Sequence, residues 1–440
     1  MVKKIALLFC TTTVFLQGQS LQNSLGQVLE NNPIILERLA NYRETTKDIG
    51  IARAEYLPTL DLVSSIGFER TGNKNSHLIS QEDKNLNYYE NSLTLMWNIF
   101  NGFGTSYKVD YQRSRIVAAA YNFIEKADDV AFNLTRTYIE LIKQHELLKI
   151  AKENITIHEE IFSKINDLYT NGLTTKSEVR KIEASLFLAR SNMVVQENNN
   201  MDAEFNFKKT FGLSIDSEFV EVPRFLVLLP KTLEEAREYV IRNNPSIMVS
   251  NSNIRAAKYL KKQKAKSFYP KIDLIVQQNI DKNTFGIEED RNRFRAGLTL
   301  SYNFYRGGAD MDESAKAQES INRNIETKSE LEREAVEGLE LSWSADKMTA
   351  KQLVDLIKYK DYSEDTLELY KEEYNLGKRT LLDLLAVQND FINAKSQIVK
   401  AKYDNLFAKY RILDAMGLLV AGIMGNEYNY MHILGIKEKQ

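Results

Sequence analysis

The sequence contains a single cysteine, Cys10, and only six prolines in 440 residues. One cysteine cannot form a disulfide within the chain, so packing and hydrogen bonds must hold the fold together. No proline occurs in residues 59–222 or in residues 271–440. Such stretches permit very long helices, because a proline inside a helix removes a backbone hydrogen bond and clashes with the preceding turn.

Neither a charge imbalance nor a long apolar run is present in the body of the chain. The formal net charge is −2, with 27% charged residues, so the basic surface typical of nucleic-acid binding is missing and no nucleic-acid partner is expected. After residue 20 no run of 18 apolar residues occurs. The sequence therefore predicts no membrane-spanning helix in the mature chain.

The first 20 residues have the pattern of a secretory signal peptide. Lys3-Lys4 precedes an apolar stretch over about 5–16, and small residues follow up to Ser20. We expect residues 1–20 to be removed, and Cys10 with them. An amphipathic or buried first helix is the alternative interpretation of the same stretch.

The chain contains one sequence pattern that occurs twice. Asn32-Pro33 and Asn244-Pro245 each precede a second proline by 25 residues, and an Asp-Leu pair follows each second proline. Further asparagine, glycine, tyrosine and leucine positions recur 205 residues apart, among them Gly172 and Gly377. We therefore predict two repeats, residues 21–213 and 233–418, with a connector over 214–232 and a tail over 419–440.

Each repeat is predicted to open with a helix and to continue into two strands. Asparagine followed by proline is typical of a helix start, and the helix must end before Pro58 or Pro270, because the residue before a proline avoids the α region. Alternating apolar and polar residues then predict strands over about 59–70 and 89–100, and over about 271–281 and 293–304. This length suits a tilted membrane-spanning strand, although a strand of a soluble sandwich shows the same alternation.

A long helical hairpin is predicted after each strand pair. Gly102 and Gly307 mark the corners where strand gives way to helix, and a heptad seam over 120–148 indicates a coiled coil. Gly172 and Gly377 are typical of left-handed caps that end a helix, which places the hairpin tips at 170–177 and 375–382.

The number of strands limits the predicted assembly. Four strands cannot close a barrel, and open strand edges in lipid leave backbone groups without hydrogen bonds. The predicted fold class is therefore a mixed α/β membrane protein whose four antiparallel strands join those of other copies in a shared β-barrel, and whose coiled-coil helices form a tunnel. Two copies would give a narrow, filled barrel; three would give twelve strands and an open lumen.

Motifs at the joins between elements carry a family resemblance. They occur in the same order in both repeats: Tyr56-Leu57-Pro58-Thr59-Leu60 and Tyr269-Pro270-Lys271-Ile272 before the strands, Trp97-Asn98-Ile99-Phe100-Asn101-Gly102 and Tyr302-Asn303-Phe304-Tyr305-Arg306-Gly307 after them, and Tyr169-Thr170-Asn171-Gly172 and Tyr374-Asn375-Leu376-Gly377 at the tips. In these motifs the chain resembles the TolC family of outer-membrane efflux and secretion channels. The resemblance implies a homotrimer with a twelve-stranded barrel and a periplasmic helical tunnel. It also implies three kinds of partner, namely the lipid bilayer, a periplasmic adaptor and an inner-membrane ABC or proton-driven transporter.

The resemblance further implies a gate at the tips. Tyr374 and Arg379 match the tyrosine and arginine that link neighbouring hairpins in the family, and Glu178 matches an aspartate partner, from which it differs by one methylene. Ser177 matches a neighbouring threonine, and Asp383 matches a carboxylate that three-fold symmetry turns into an anionic ring. The alternative is that these residues are ordinary surface charges at helix starts, which are individually worth little.

Nothing in the sequence indicates an enzyme or a cofactor. The four histidines show no metal-ligand spacing, and neither a nucleophile elbow nor a phosphate-binding loop with its lysine is present. The leading prediction is a passive outer-membrane export channel for small molecules or proteins. The alternative is a soluble periplasmic coiled-coil structural or adaptor protein.

Overall fold

The structure is a computed structural model that describes residues 20–71, 84–212, 220–285, 287–425, 430 and 434. Most of the predicted signal peptide, the loop after the first strand and most of the predicted tail therefore lie outside the described residues. The helices are α1 (Leu21–Asn31), α2 (Pro33–Ala54), α3 (Gly104–Thr170), α4 (Lys176–Phe211), α5 (Leu233–Asn243), α6 (Pro245–Lys264), α7 (Ala309–Asn375), α8 (Leu381–Ala415) and α9 (Leu419–Met424). The strands are β1 (Thr59–Thr71), β2 (Lys84–Asn101), β3 (Lys271–Lys282) and β4 (Asp290–Ser301).

The two halves repeat the same order of elements with almost the same lengths. Helices α3 and α7 both have 67 residues, and α1 and α5 both have 11. The short helices α1 and α5 precede the Asn-Pro starts and do not follow from the predicted pattern. Each has a side-chain N-cap, because the Ser20 and Thr232 hydroxyls accept hydrogen bonds from Asn23 N and Glu235 N.

The chain divides into two compact units. The first, here called the strand unit, comprises residues 38–123 and 245–332 and holds all four strands. The second, here called the hairpin unit, comprises residues 1–37, 124–244 and 333–440 and holds the tips of both hairpins. Of the helices that the structure describes, none combines the length and the apolar composition that crossing a membrane requires.

In the strand unit the four strands form one antiparallel sheet in the order β1-β2-β3-β4. The pairing of β2 with β3 joins the two repeats in a single sheet, with Leu95 opposite Val276 and a register shift between Asn98 and Phe100. Among the described strands, β1 and β4 each pair on one side only. The sheet therefore ends in two edges whose backbone groups have no partner strand within it.

Three strand boundaries differ by three residues or more from those predicted. Strand β4 begins at Asp290 and not near residue 293, because its first residues pair with the end of β3 as far as Lys282. Strand β2 begins at Lys84 and not near residue 89, because its polar first residues, which break the alternation, still pair with the end of β1 as far as Thr71. Strand β4 ends at Ser301 and not at residue 304. There the Asn303 side-chain oxygen accepts a hydrogen bond from Tyr305 N at 3.0 Å, and this local turn takes the chain out of the ladder.

One face of the sheet is apolar and exposed. Leu62 lies opposite Leu93, and Leu274 lies opposite Leu298, so these side chains share a face. Leu62 is 71% exposed and Leu298 is 68% exposed, and Ile66 on the same face reaches 86%. An apolar surface of this extent marks a face that another phase or another protein covers.

The opposite face of the sheet is polar and hydrogen-bonded. Ser92 Oγ donates to Asn279 Oδ1 at 2.9 Å and accepts from Gln277 Nε2 at 3.1 Å. Asn98 Nδ2 donates to Asp273 Oδ1 at 2.8 Å. These bonds cross from β2 to β3 and therefore connect the two repeats.

The core of the hairpin unit lies between its helices. Ala236 and Val240 of α5 pack with Leu339 and Trp343 of α7, with Ile412 of α8, and with Met416, which directly follows α8. The described part of the connector, 220–232, contacts the helices: the Tyr138 hydroxyl of α3 donates to Glu221 O at 2.8 Å. The centre of the Phe225 ring lies 5.3 Å from that of Tyr410 in α8, so the connector contacts both repeats.

Candidate functional site

Both hairpins of the hairpin unit turn on a glycine in the left-handed conformation. Gly172 has φ 72° and Gly377 has φ 73°. Gly172 N donates to Tyr169 O and Leu173 N to Leu168 O, and the same pair of bonds recurs at Gly377 and Lys378. This paired pattern is a Schellman motif, which satisfies the last carbonyls of α3 and α7 before the chain reverses.

Arg379 is held by two residues of its own hairpin. Its Nε donates to Glu373 Oε2 at 2.6 Å, and its guanidinium carbon lies 4.2 Å from the centre of the Tyr370 ring. The hydrogen bond to Glu373 raises the pKa of Arg379, so the side chain stays charged. Within one chain, Arg379 is thus fixed across the turn from α7 to the start of α8.

Tyr374 lies where the two hairpins meet. It packs against a buried cluster that comprises Ile161, Ile165, Ile182, Leu381 and Leu385, from α3, α4 and α8. Burial raises the pKa of Tyr374, and the charge of Glu178 raises it further. The structure therefore brings Tyr374 and Glu178, from different hairpins, into one electrostatic environment.

Glu178 and Asp383 occupy equivalent positions, each three residues after a threonine that precedes the helix. Asp383 completes a capping box: Asp383 N donates to Thr380 Oγ1 at 3.2 Å, and Thr380 N donates to Asp383 Oδ2 at 3.1 Å. The Thr380 hydroxyl also donates to Asp383 Oδ2 at 2.7 Å, and this bond, together with the one from Thr380 N, lowers the pKa of Asp383. Glu178 instead accepts a hydrogen bond from Thr174 Oγ1 at 2.6 Å, and Thr175 makes no side-chain cap.

Ser177 is exposed at the start of α4, where its hydroxyl lies 2.8 Å from Thr175 Oγ1. Within the described residues its side chain makes no hydrogen bond to the other predicted gate residues, whereas Arg379 and Asp383 interact electrostatically across the turn. Glu373, Tyr370 and Thr380 complete the site and were not predicted. The sequence offered two signals for them: a glutamate and a tyrosine within one helical turn before Tyr374, and a threonine three residues before an aspartate.

A groove of about 500 Å³ opens beside the tips in the hairpin unit. Its apolar floor includes Ile161, Ile165 and Leu384, and its charged lining includes Lys164, Asp167 and Lys371. Tyr374 also lines it, so the groove is continuous with the contact between the hairpins. Grooves with an apolar floor and a charged rim are typical of protein docking sites.

The predicted junction residues lie in the strand unit, at the end of the sheet from which the helices leave. Pro58 and Pro270 directly precede β1 and β3, and Trp97 Nε1 donates to Tyr56 O at 2.9 Å beside the first of them. Gly102 has φ 64°, and a Cβ atom there would lie 2.7 Å from Tyr269 Cβ and 2.9 Å from Lys266 O. Gly307, with φ 62°, has open space around it.

No group of three or more histidine, cysteine, aspartate or glutamate residues in the described part of the chain is arranged to hold a metal ion. The tips therefore offer hydrogen bonds, ion pairs and apolar packing. Such a site can hold two hairpins together or release them.

Comparison with known proteins identifies the family. The profile of the family described as outer membrane efflux protein matches residues 24–212 and 237–418, which are the two repeats. "Outer membrane efflux protein BepC" of Brucella suis biovar 1 (strain 1330) is 21% identical over 412 residues, covering 93% of this chain and 87% of the relative. "Proteases secretion protein PrtF" of Dickeya chrysanthemi is 19% identical over 381 residues, covering 81% and 79%.

A solved structure shares the fold. The Campylobacter jejuni CmeC outer membrane channel superposes with a TM-score of 0.78 at 16% identity, covering 94% of this chain and 88% of that chain. The predicted fold class, with its four antiparallel strands and long helices, and the predicted resemblance to the TolC family are confirmed. With both repeats matched, the chain belongs to the outer membrane efflux protein family and is a protein of the outer membrane.

Proposed function

We propose that three copies of this chain form a passive export channel, with a shared twelve-stranded β-barrel in the outer membrane and a helical tunnel in the periplasm. The observation that carries the proposal is the four-stranded sheet with an exposed apolar face, a polar face and two unpaired edges. Alternating sides of this kind are typical of barrel strands that face lipid on one side and a lumen on the other. Three copies would supply twelve strands and pair every edge.

Export by such a channel needs partners that supply energy. The relatives named for efflux and for protease secretion support a channel that works with an inner-membrane transporter, either an ABC transporter or a proton-driven pump, and with a periplasmic adaptor. We propose that the groove beside the tips is where the adaptor docks, because its apolar floor and charged rim lie at the turn of each hairpin. The transported substrate is a small molecule or a protein.

We propose further that the tip residues form the gate. Tyr374 packs where the two hairpins of one chain meet, within the electrostatic influence of Glu178, and Arg379 carries a charge at the turn where a neighbouring copy can reach it. Asp383 from three copies would place three carboxylates around the axis. The family and the relatives named for efflux and for protease secretion support a channel and not an enzyme.

Planar lipid bilayers and native mass spectrometry of the purified protein test the proposal together. We expect discrete single-channel current steps and a mass equal to three copies. A stable trimer that never conducts would contradict the channel, and a monomeric protein that stays in solution would favour the adaptor alternative instead.

A matched pair of variants in β1 tests the membrane placement of the sheet. Leu62 and Val63 are adjacent, apolar and exposed, and they lie on opposite faces. Leu62→Lys should reduce the amount of trimer in the outer membrane, since a lysine that faces lipid destabilises a barrel, by up to about 2–4 kcal/mol at the bilayer centre and less toward its surfaces. Val63→Lys would face the lumen and should be tolerated; equal losses in both variants would refute the assigned faces.

A further inference from the structure

The two unpaired edges of the sheet carry opposite charges on its polar face. The register places Asp61 of β1, Thr94 of β2, Gln277 of β3 and Arg295 of β4 in one row across that face. Gln277 belongs to the polar face because it donates a hydrogen bond to Ser92. The row therefore begins with a carboxylate at one edge of the sheet and ends with a guanidinium at the other.

The same division of charge holds along the whole length of both edge strands. Side chains alternate between the two faces of a strand, so every second residue shares the polar face. The charged residues that β4 places on this face are all arginines, namely Arg291, Arg293 and Arg295, whereas those of β1 are Asp61 and Glu69. On the polar face the β4 edge is thus basic, and the β1 edge is acidic.

Within one copy these edge charges are only partly matched. Arg291 Nε donates to Glu289 Oε2 at 2.9 Å. Arg293, Arg295 and Asp61 are exposed, and none of the three forms an ion pair or a side-chain hydrogen bond within the part of the chain that the structure describes. A single chain therefore leaves two cations at one edge of the sheet and an anion at the other without an ion-pair partner.

We propose that a second copy of this chain supplies the partners: its acidic β1 edge pairs with the basic β4 edge of the first copy, and ion pairs on the lumen side of this seam select the pairing. The inference rests on the proposed trimer and names what joins its copies. Opposite charges on facing antiparallel strands stabilise the pair, and long side chains also reach their diagonal neighbours. The strand tilt of a barrel staggers the seam by a few residues. Three arginines in succession along one face of β4 can therefore meet a carboxylate near either end of β1.

The same charges act against the wrong partner. An exposed sheet edge can pair with the same edge of another copy, and such pairing leads to aggregation. Two β4 strands would bring arginines against arginines, and two β1 strands would bring carboxylates against carboxylates, which is destabilising. Only the seam between β4 and β1 brings opposite charges together, and a head-to-tail seam of this kind is the one that closes a ring.

Charge reversal in the full-length protein, with assembly measured by native mass spectrometry in detergent, tests the seam. The β4 variant is Arg293→Glu with Arg295→Glu, and the β1 variant is Asp61→Arg with Glu69→Arg. The swap variant combines all four substitutions, so its net charge equals that of the wild type.

The matched control is Glu90→Arg, which also reverses a carboxylate on the polar face. Glu90 lies on β2 opposite Asp281 of β3, so it is inside the sheet and away from both edges. The β4 and β1 variants should each lower the ratio of trimer to monomer by at least about fivefold, because one cross-strand charge pair changes pairing by up to about this factor and a trimer has three seams. The swap variant should recover the wild-type ratio, and the control should keep it.

Salt gives a second measurement that a merely structural role would not change. Raising the ionic strength from about 0.1 M to about 1 M shortens the screening length from about 10 Å to about 3 Å. The ratio of trimer to monomer should then fall for the wild type and rise for the β4 and β1 variants.

A swap variant that stays as monomeric as the β4 and β1 variants would overturn the proposal, and so would equal losses in the β1 variant and the control. A wild-type ratio that does not respond to salt would also overturn it. Single-channel recordings of the same proteins separate this inference from the proposed function. Conducting trimers that are indifferent to the edge charges refute the ion-paired seam alone, and a wild-type protein that stays monomeric refutes the trimer itself.

Discussion

At the scale of single residues, one methylene group separates two repeat-equivalent carboxylates with different partners. Asp383 reaches back to Thr380 and caps its own helix, whereas Glu178 binds the hydroxyl of Thr174 and acts on Tyr374 of the other hairpin. The repeat has therefore diverged at its tips. The second hairpin has a fixed cap, and the first has a carboxylate whose charge is felt by Tyr374 of the second hairpin.

We expect Arg379→Ser to loosen the tip and to increase single-channel conductance. The substitution removes the ion pair with Glu373 and the stacking on Tyr370, which together fix the side chain across the turn. Lys378→Ser is the control, because it removes an adjacent positive charge without either contact. A gate at Arg379 is contradicted if the two variants conduct alike.

Gly172→Ala and Gly338→Ala should change stability in opposite directions. Neither glycine has an atom within 4 Å of an added Cβ, so only the backbone differs. Gly172 has a positive φ that costs about 1–2 kcal/mol for alanine, whereas alanine inside the helix at Gly338 gains about 0.5–1 kcal/mol. Amide exchange around each site measures the change, and a loss of protection at 338 or a gain at 172 would refute this account.

At the scale of elements, the last described helix, α9, is held by a buried carboxyl group. The Tyr430 hydroxyl donates to Asp128 Oδ1 at 3.1 Å, and the backbone N–H of Val420 also bonds to Asp128. Burial raises the pKa of Asp128 to about 7, and Asp129 adds to the rise. Burial and the charges of Asp128 and Asp129 raise the pKa of Asp414 to about 7, against the opposing effect of Arg411.

The attachment of α9 should therefore weaken as the pH rises from about 4 to 7. Between the unfolded and folded pKa values the native state binds more protons, so its stability falls with pH, by about 1.4 kcal/mol for each unit of pKa shift, and becomes constant above the folded pKa. After correction for intrinsic rates, amides of Leu419–Met424 should exchange faster at pH 8 than at pH 5.

Two variants check the origin of this pH dependence. Asp128→Asn should reduce it, because only one of the two buried carboxyl groups, Asp414, still titrates, and the charge of residue 128 no longer raises the pKa of Asp414. Asp129→Asn should keep most of it, since Asp129 is exposed. An unchanged pH dependence in Asp128→Asn would show that the buried carboxyl group does not control the attachment of α9.

How far the elements could be predicted depended on how regular their patterns are. Helices α3 and α7 each extend over 67 residues. Many residues therefore follow the helical period, and the glycines that end the helices confirm where it stops. Helices α1 and α5 have 11 residues and too few turns for a period to stand out. At the tips Arg379 was identified, but Glu373 and Tyr370 were not, since their contact with it depends on how the turn folds.

At the scale of the whole molecule, the proposed trimer predicts disulfides between β1 and β4 of different copies. Within one sheet these strands are three spacings apart, about 14 Å, which exceeds the reach of a disulfide. Ser65→Cys combined in turn with Arg293→Cys, Arg295→Cys or Gly297→Cys should give dimer and trimer bands on non-reducing gels. Nothing larger is expected, because three copies close the ring.

The control for this experiment is Ser65→Cys with Glu90→Cys, which pairs directly across β1 and β2 within one chain. It should form a disulfide without any increase in molecular mass. A continuous ladder beyond three copies would indicate an open chain of subunits, and monomers from every pair would count against edge-to-edge assembly.

The two unpaired edges of the sheet also have a genetic consequence. If each copy needs neighbours on both sides, a defective copy that still pairs its edges is built into channels with normal ones. When both kinds are made in equal amounts, about one trimer in eight contains only normal copies. Mutations at the hairpin tips should therefore be dominant, whereas mutations that destroy an edge should be recessive, because those copies never enter a channel.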